Sequence, residues 1–550
     1  MTTRRRINQQ KGVSLLLGTA AMIVIIPMVG LAIDVGVIYS LKARLQAAAD
    51  GAALAGARSL ILGATTAAQA DSAKQTSANW FFANFPVGAW GTTNTAMDRT
   101  DTHVHVYDDA TNPNLRHVDV MATTNTPTYF MKFLGFNAVS LKAFGYASRR
   151  DVVAMLVLDR SGSMNTTSSC GDLRASAKLF TSQFAAGRDY IGLVSFSDGT
   201  YVHSAPSRNF QTVLGYDNGI TSTSGQIDTI QCGGGTSTPQ ALSIGYNELY
   251  KMHLPGALNI MLLETDGLPN SLVMNWWDSA ATTAGFTSQS TITNGCQDTA
   301  GKTKAQNGWG SAGVVRAWTP GYSMNTDSLG HAVTGFMSDI PAGIIGGMPS
   351  SDPGQSAAFY ALANPWHTSS YSGMGLSSPN NATLTTGANC LFTGSWNNVH
   401  DFAWLPSTDV FGNSLNPSTN PYANVTMAGS KVNFPGDTTG WTNYHNAALN
   451  ATIDSAYRIR TNATLPATIF VIGLGGNAAG APDYTLMRRI ANDNSADIFN
   501  SPALYSDCPS TTNCVSYSSQ PQGTFVYSTD KNDLRRAFLE ISSQVLRLSR

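Results

Sequence analysis

Residues 12–33 run for 22 positions without a charge, long enough to cross a bilayer as a helix. Residues 35–60 continue as a helix of small residues. Its Ala-rich face suits either close packing on another element or an exposed stalk. Residues 60–148 change to the pattern of a small α+β module. Ala73, Ser77, Trp80 and Phe81 share one helical face, and residues 103–107, 117–121 and 139–143 alternate as half-buried strands. From Asp151 the alternation gives way to apolar runs. Residues 152–158 read as a fully buried parallel strand, and residues 190–196, 260–266 and 468–474 as further strands. Residues 200–204 fit a short edge strand and residues 525–527 a last one. Between them lie helical spacings: Leu173, Ala177, Phe180 and Phe184; Leu242, Gly245 and Leu249 after Pro239; residues 444–459; residues 484–492. Leu534, Phe538, Ile541, Val545 and Leu548 line a terminal helix, with Ser528 or Asp530 as its expected N-cap. This alternation predicts an α/β fold, a doubly wound and mostly parallel sheet, over residues 150–550. Residues 268–442 interrupt it as a large insertion that leaves the sheet directly after Asp266-Gly267 and carries eight of the ten tryptophans. Packed core is the plainer use for most of these rings; a lid or partner surface is the other.

A chain of 550 residues has room for two or three domains. Charged residues are only 12% of it, about half the usual share, and the net charge is −1, which leaves no electrostatic footprint for nucleic acid. Ser, Thr, Asn and Gly supply the polar surface instead, as in many extracytoplasmic proteins. Arg4, Arg5, Arg6 and Lys11 precede the apolar stretch and Asp34 follows it, so the positive-inside rule places the N-terminus in the cytoplasm and the remainder outside. A cleaved signal peptide would have a shorter apolar core and a small-residue cleavage site. The length of the run favours an uncleaved anchor, within which Pro27 is tolerable. No second span is expected.

Asp159-Arg160-Ser161-Gly162-Ser163 begins at the end of the first apolar strand, where open α/β sheets bind ligands. Thr236 follows in a glycine-rich loop, and Asp266 ends another apolar strand. Two carboxylates and three hydroxyls suit a hard cation such as Mg²⁺. An Asp or Ser after a strand is by itself commonly a helix cap; the specificity lies in the ordered set. The set resembles the metal-ion-dependent adhesion site of von Willebrand factor A domains, whose sheet is Rossmann-like. The resemblance implies that Asp159, Ser161 and Ser163 supply the first metal-binding stretch, Thr236 the second and Asp266 the third, around Mg²⁺ or Mn²⁺. It further implies a protein partner whose Asp or Glu completes the coordination. Cys170 follows the first metal loop and Cys232 precedes Thr236, which makes them a candidate disulfide. Cys508 with Cys514, and Cys296 with Cys390, would then remain, against the alternative of free buried thiols.

Gly30-Leu-Ala-Ile-Asp34, Leu45-Gln-Ala-Ala-Ala-Asp50 and Ala52-Ala-Leu-Ala-Gly-Ala57 resemble the N-terminal segment of TadE/TadG-like proteins of the tight-adherence (Flp) pilus system. Prepilin-like members of that system carry a glutamate five residues after the cleaved glycine. Here Leu17 stands at that spacing from Gly12, and the chain resembles the larger, anchored TadG type. The implied protein sits in a bacterial inner membrane, with its bulk periplasmic or extracellular, and binds other pilus assembly components. A structural envelope component or a generic surface adhesin with a non-functional metal site is the alternative. No G-x-S-x-G, H-E-x-x-H or glycine-rich phosphate loop points to an enzyme, and Glu264 near Asp266 is not thereby a positioned base.

Overall fold

A computed structural model of the chain describes residues 10–166, 168–197, 200–233, 236–254, 256–275, 334–338, 408–409, 411–416, 422–425, 438–475, 482–499 and 517–549. The chain divides into two compact units, Met1–Asp151 with Ser549–Arg550, and Val152–Leu548.

The first unit is organised by one helix of 50 residues, α1 (Gln10–Ser59), which continues through Pro27. From Leu16 to Ile33 its apolar side chains are largely exposed, and α1 is long and apolar enough to cross a membrane. Its second half is the opposite. Leu41, Leu45, Ala48, Ala49, Ala52, Ala53 and Ala57 are buried against Phe81 of α2 (Thr66–Asn84) and against the sheet. The Ala-rich segment is therefore a core helix and not an exposed stalk. The sheet comprises β1 (Thr93–Ala96), β2 (Val104–Asp108), β3 (Leu115–Pro127) and β4 (Ala138–Arg150), all antiparallel. β3 pairs with β4 along its whole length and with β2 and β1 on its other edge. Val118, Val120 and Ala122 face α1, on alternate positions of β3 as the half-buried pattern requires. Small residues let the backbones close in: a Cβ on Gly145 of β4 would lie 2.2 Å from the Ala49 carbonyl oxygen. β2 begins one residue later than the alternation suggests: His103 sits in the turn before it, with Nδ1 2.8 Å from Asp98 Oδ1.

The second unit contains β5 (Val152–Asp159), α3 (Gly162–Thr166), α4 (Cys170–Thr181), β6 (Tyr190–Phe196), β7 (Thr200–Ser207), α5 (Phe210–Leu214), α6 (Thr238–Met252) and β8 (Leu258–Thr265). After β9 (Ser271–Asn275) and β10 (Thr334–Ser338) come α7 (Thr438–Thr461), β11 (Thr468–Leu474), α8 (Tyr484–Ala491), β12 (Phe525–Ser528) and α9 (Leu534–Leu548). Six strands form one sheet in the order β12-β11-β8-β5-β6-β7, parallel except for the edge strand β7. The apolar runs have a direct cause. Val153, Met155 and Val157 of β5 enter a core with α6, α7 and α8, while Val152, Ala154, Leu156 and Leu158 enter another with α4 and α9. With both faces covered, neither set of alternate positions can be polar.

Cys170, the first residue of α4, is joined to Cys232 by a disulfide. The cysteines at 296, 390, 508 and 514 lie outside the described residues. So do the insertion's tryptophans, apart from the backbone of Trp441 in α7. Within the insertion β9 and β10 pair antiparallel, and Phe411 joins the core beside α7. The terminal helix starts at Leu534, later than expected, because the Asp530 carboxylate accepts the N–H groups of Asn532 and Asp533 and so caps the preceding turn.

The contact between β4 and α1 is directly testable. Gly145→Val places two methyl groups and a Cβ against the Ala49 carbonyl, and the first unit is expected to lose about 1–3 kcal/mol of stability. Amide hydrogen exchange of α1 and β4 would report it as lost protection, while protection of β5 and β8 stays unchanged.

Candidate metal centre

β5 ends in Asp159 and β8 is followed at once by Asp266, so neighbouring parallel strands set two carboxylates at one sheet edge. Both are buried. Asp159 Oδ1 accepts the Ser161 N–H at 2.7 Å, which folds the turn after β5 back on itself. The turn brings the hydroxyls of Ser161 and Ser163 to 2.9 Å from each other. Both donate to Asp266 Oδ1, at 3.3 Å and 2.7 Å respectively. The other Asp159 oxygen accepts the hydroxyl of Thr265, the residue that the β5–β8 register places beside it.

Thr236 reaches the same edge from the loop before α6. Its N–H donates to Asn270 Oδ1 at 2.6 Å, and the Asn270 N–H donates back to the Thr236 carbonyl at 2.9 Å. A Cβ on Gly267 would stand 3.6 Å from Thr236 Oγ1 and 4.0 Å from Ser163 Oγ, so Gly267 lies close to both hydroxyls. Asp159, Ser161, Ser163, Thr236 and Asp266 thus converge on one end of the sheet. Thr265 and Asn270 were not singled out from sequence. Aligning the two strand ends in parallel register would have found Thr265. Nothing local marks Asn270, whose role depends on where the insertion leaves the sheet.

Burial is the largest influence on Asp159 and the facing charge of Asp266 the next; together they outweigh the hydrogen bonds from Thr265 and Ser161 and raise its carboxyl to about 7. Glu264, fully buried in β8, is pushed well above the carboxylate range by burial, then by Asp159 and Asp266. A site that holds carboxylates at this cost, with neutral hydroxyls beside them, has the donor chemistry of a hard divalent cation. The hydroxyls that now donate to Asp266 would turn their lone pairs inward to serve one. Among the described residues, no group of three or more His, Cys, Asp and Glu side chains gathers as a metal site; the candidate depends on hydroxyls. Beside it, Arg160, Ser195, Tyr201, His203 and Gln226 line a cavity of about 270 Å³.

Comparison with known proteins agrees with this architecture. Residues 12–59 match the family model described as Flp pilus-assembly TadE/G-like, and residues 154–268 match the von Willebrand factor type A domain. The chain thus joins a TadE/G-like N-terminal segment to a von Willebrand factor A domain with a large insertion. No curated protein matches the sequence significantly. Similar solved structures include the PilB minor pilin from Streptococcus sanguinis, 13% identical with a TM-score of 0.31, covering 82% of this chain and 79% of that one. The vWF domain of the type V pili tip protein Mfa5 from Porphyromonas gingivalis is 15% identical with a TM-score of 0.29, covering 74% of this chain and 98% of that one. The scores are too low for either likeness to carry an argument.

The raised Asp159 carboxyl fixes the sign of a pH dependence. The folded state keeps a proton that the unfolded chain releases near 3.8, so this group's contribution to stability falls as pH rises from about 4 to about 7. His203, lowered to about 4 by burial and then by Arg160, contributes the opposite slope below 6.5. The comparison is therefore with Asp159→Asn. In metal-free buffer, the melting temperature of wild type relative to Asp159→Asn should fall between pH 5 and pH 8, and Mg²⁺ should recover the loss at pH 8 only.

Proposed function

We propose that this chain is an envelope protein of the TadE/G-like pilus-assembly type that captures a protein partner through a divalent cation. α1 anchors it in the bacterial inner membrane, with the basic N-terminus cytoplasmic and both folded units outside. Mg²⁺ or Mn²⁺ is held by Asp159, Ser161, Ser163, Thr236 and Asp266, some of them through water, and a partner Asp or Glu takes a remaining position. The observation that carries the reading is the buried pair of carboxylates with Ser161 and Ser163 hydrogen-bonded to it at the carboxyl end of β5 and β8. Two carboxylates would repel a third; with a cation between them the third is attracted. The reading is one of binding: Glu264, the carboxylate next to Asp266 along the strand, is buried and favours its protonated form.

Calorimetry on the full chain in detergent tests the reading. Wild type should bind Mg²⁺ and Mn²⁺, and Asp159→Ala should abolish binding while its metal-free melting temperature stays level or rises, because repulsion with Asp266 is relieved. Ser161→Ala and Ser163→Ala should weaken binding less, since they leave the charge of the site unchanged. Equal binding by wild type and Asp159→Ala would end the metal reading and leave Asp159 as the cap of the turn after β5.

A further inference from the structure

The loop at residues 128–137 joins β3 to β4 and carries Tyr129, Phe130, Met131, Phe133, Leu134 and Phe136. Hairpin tips in water are built from Gly, Asn, Asp and Ser. Here Phe133 is 80% exposed, Leu134 71% and Phe136 58%. The turn at the other end of β3, which joins it to β2, is polar in the ordinary way, with the Asp109 carboxylate holding the N–H groups of Thr111 and Asn112.

The apolar loop is fastened to α1. Asp34 is buried, and its carboxylate accepts the N–H groups of Tyr129, Phe130 and Met131 at 2.9, 2.9 and 2.6 Å. These donors stand at the start of the 3₁₀ turn Met131–Leu134, whose own N-cap residue makes no side-chain bond. Asp34 caps that turn from another element, and its charge is spent there. The Phe130 ring lies on Gly30, where any Cβ would come within 2.6 Å of it. Gly30 is four residues before Asp34, about 6 Å along the helix axis, and lies inside the uncharged stretch at residues 12–33. The loop therefore runs back along α1 beside the segment that crosses the membrane.

We propose that residues 129–136 insert into the interface of the bilayer that α1 crosses, on the side of the folded units, as a second attachment next to the helix. The proposal rests on the anchor reading of α1 and adds a site to it. Lipid is the occupant because the exposed apolar side chains belong to the loop whose Phe130 packs on Gly30, within the exposed apolar stretch of α1. Exposed Phe and Leu side chains beside a Lys are the composition of segments that lie in the membrane interface. Lys132, with Nζ 5.7 Å from the Phe133 ring centroid, has a flexible stem that lets its charge stay with the headgroups. Two attachments, the helix and the loop clamped to it by Asp34, hold the first unit in one orientation on the membrane.

The test is photocrosslinking of the full chain in nanodiscs of phosphatidylethanolamine and phosphatidylglycerol. p-Benzoylphenylalanine is placed singly at Phe133, Leu134, Ile25 within the apolar stretch, and Ala110 in the β2–β3 turn at the other end of β3. Irradiation should yield lipid adducts, read by mass spectrometry, at Ile25, Phe133 and Leu134, with none above background at Ala110. Adducts at Ile25 but not at Phe133 or Leu134 overturn the insertion and leave the anchor standing. Absence of adducts at Ile25 as well overturns both. Crosslinks from Phe133 to a second protein chain in place of lipid also overturn the proposal, since the rings would then be a protein interface.

Discussion

Asp159 and Asp266 repel each other, and the rest of the α/β unit keeps them from moving apart. Each is tied to the end of a strand whose side chains fill a core on either face of the sheet, so neither strand can slide without opening a core. The Ser161 N–H and the Thr265 hydroxyl hold one carboxylate, and Ser161 and Ser163 hold the other. Glu264, buried in the strand that Asp266 follows, registers the same field: burial, then Asp159 and Asp266, push its carboxyl well above the usual range. Such a cluster is costly in a protein that gains nothing from it. On the proposed reading a cation supplies the missing positive charge, and a partner carboxylate then finds an attractive site where the metal-free edge would repel it.

The first unit solves a different problem with one helix in two solvents. From Leu16 to Ile33 the apolar side chains of α1 are largely exposed, while the later half is Ala-rich and buried. Gly56 and Gly145 let α2 and β4 approach the later half so closely that a Cβ at either would lie 2.2 Å from an oxygen, the Ser77 hydroxyl and the Ala49 carbonyl respectively. Asp34 stands where the two halves meet, and its carboxylate is held by three backbone N–H donors. The residues that resemble TadE/TadG-like segments thus do more than anchor: they form the core of a folded unit.

What the sequence disclosed follows from periodicity. The runs ending at Asp159 and Asp266 stand out because strands covered on both faces cannot alternate, and that fact also positions the two carboxylates. The pairing of Cys170 with Cys232 could be read from their flanking positions around the site. The rest depended on contacts remote in sequence. Asp34 marks the end of the apolar stretch, but its partners lie some 95 residues on. Thr265 and Asn270 are ordinary polar residues until the register of β5 against β8 and the start of the insertion are known. The Ala-rich helix was open to two readings because small residues suit both a stalk and a tight interface. Ser528 or Asp530 was expected to cap the terminal helix; Asp530 caps the turn before it, since the local pattern does not say how many residues follow before Leu534.

The central claim is that these carboxylates and hydroxyls form a cation site, and Mn²⁺ placed by its anomalous scattering in crystals of the protein tests it most directly. The account predicts one strong peak enclosed by Asp159, Ser161, Ser163, Thr236 and Asp266, within bonding distance of at least the two serine hydroxyls. Crystals grown with Mn²⁺ that show no peak there, while Ser161 and Ser163 still donate to Asp266, would contradict it.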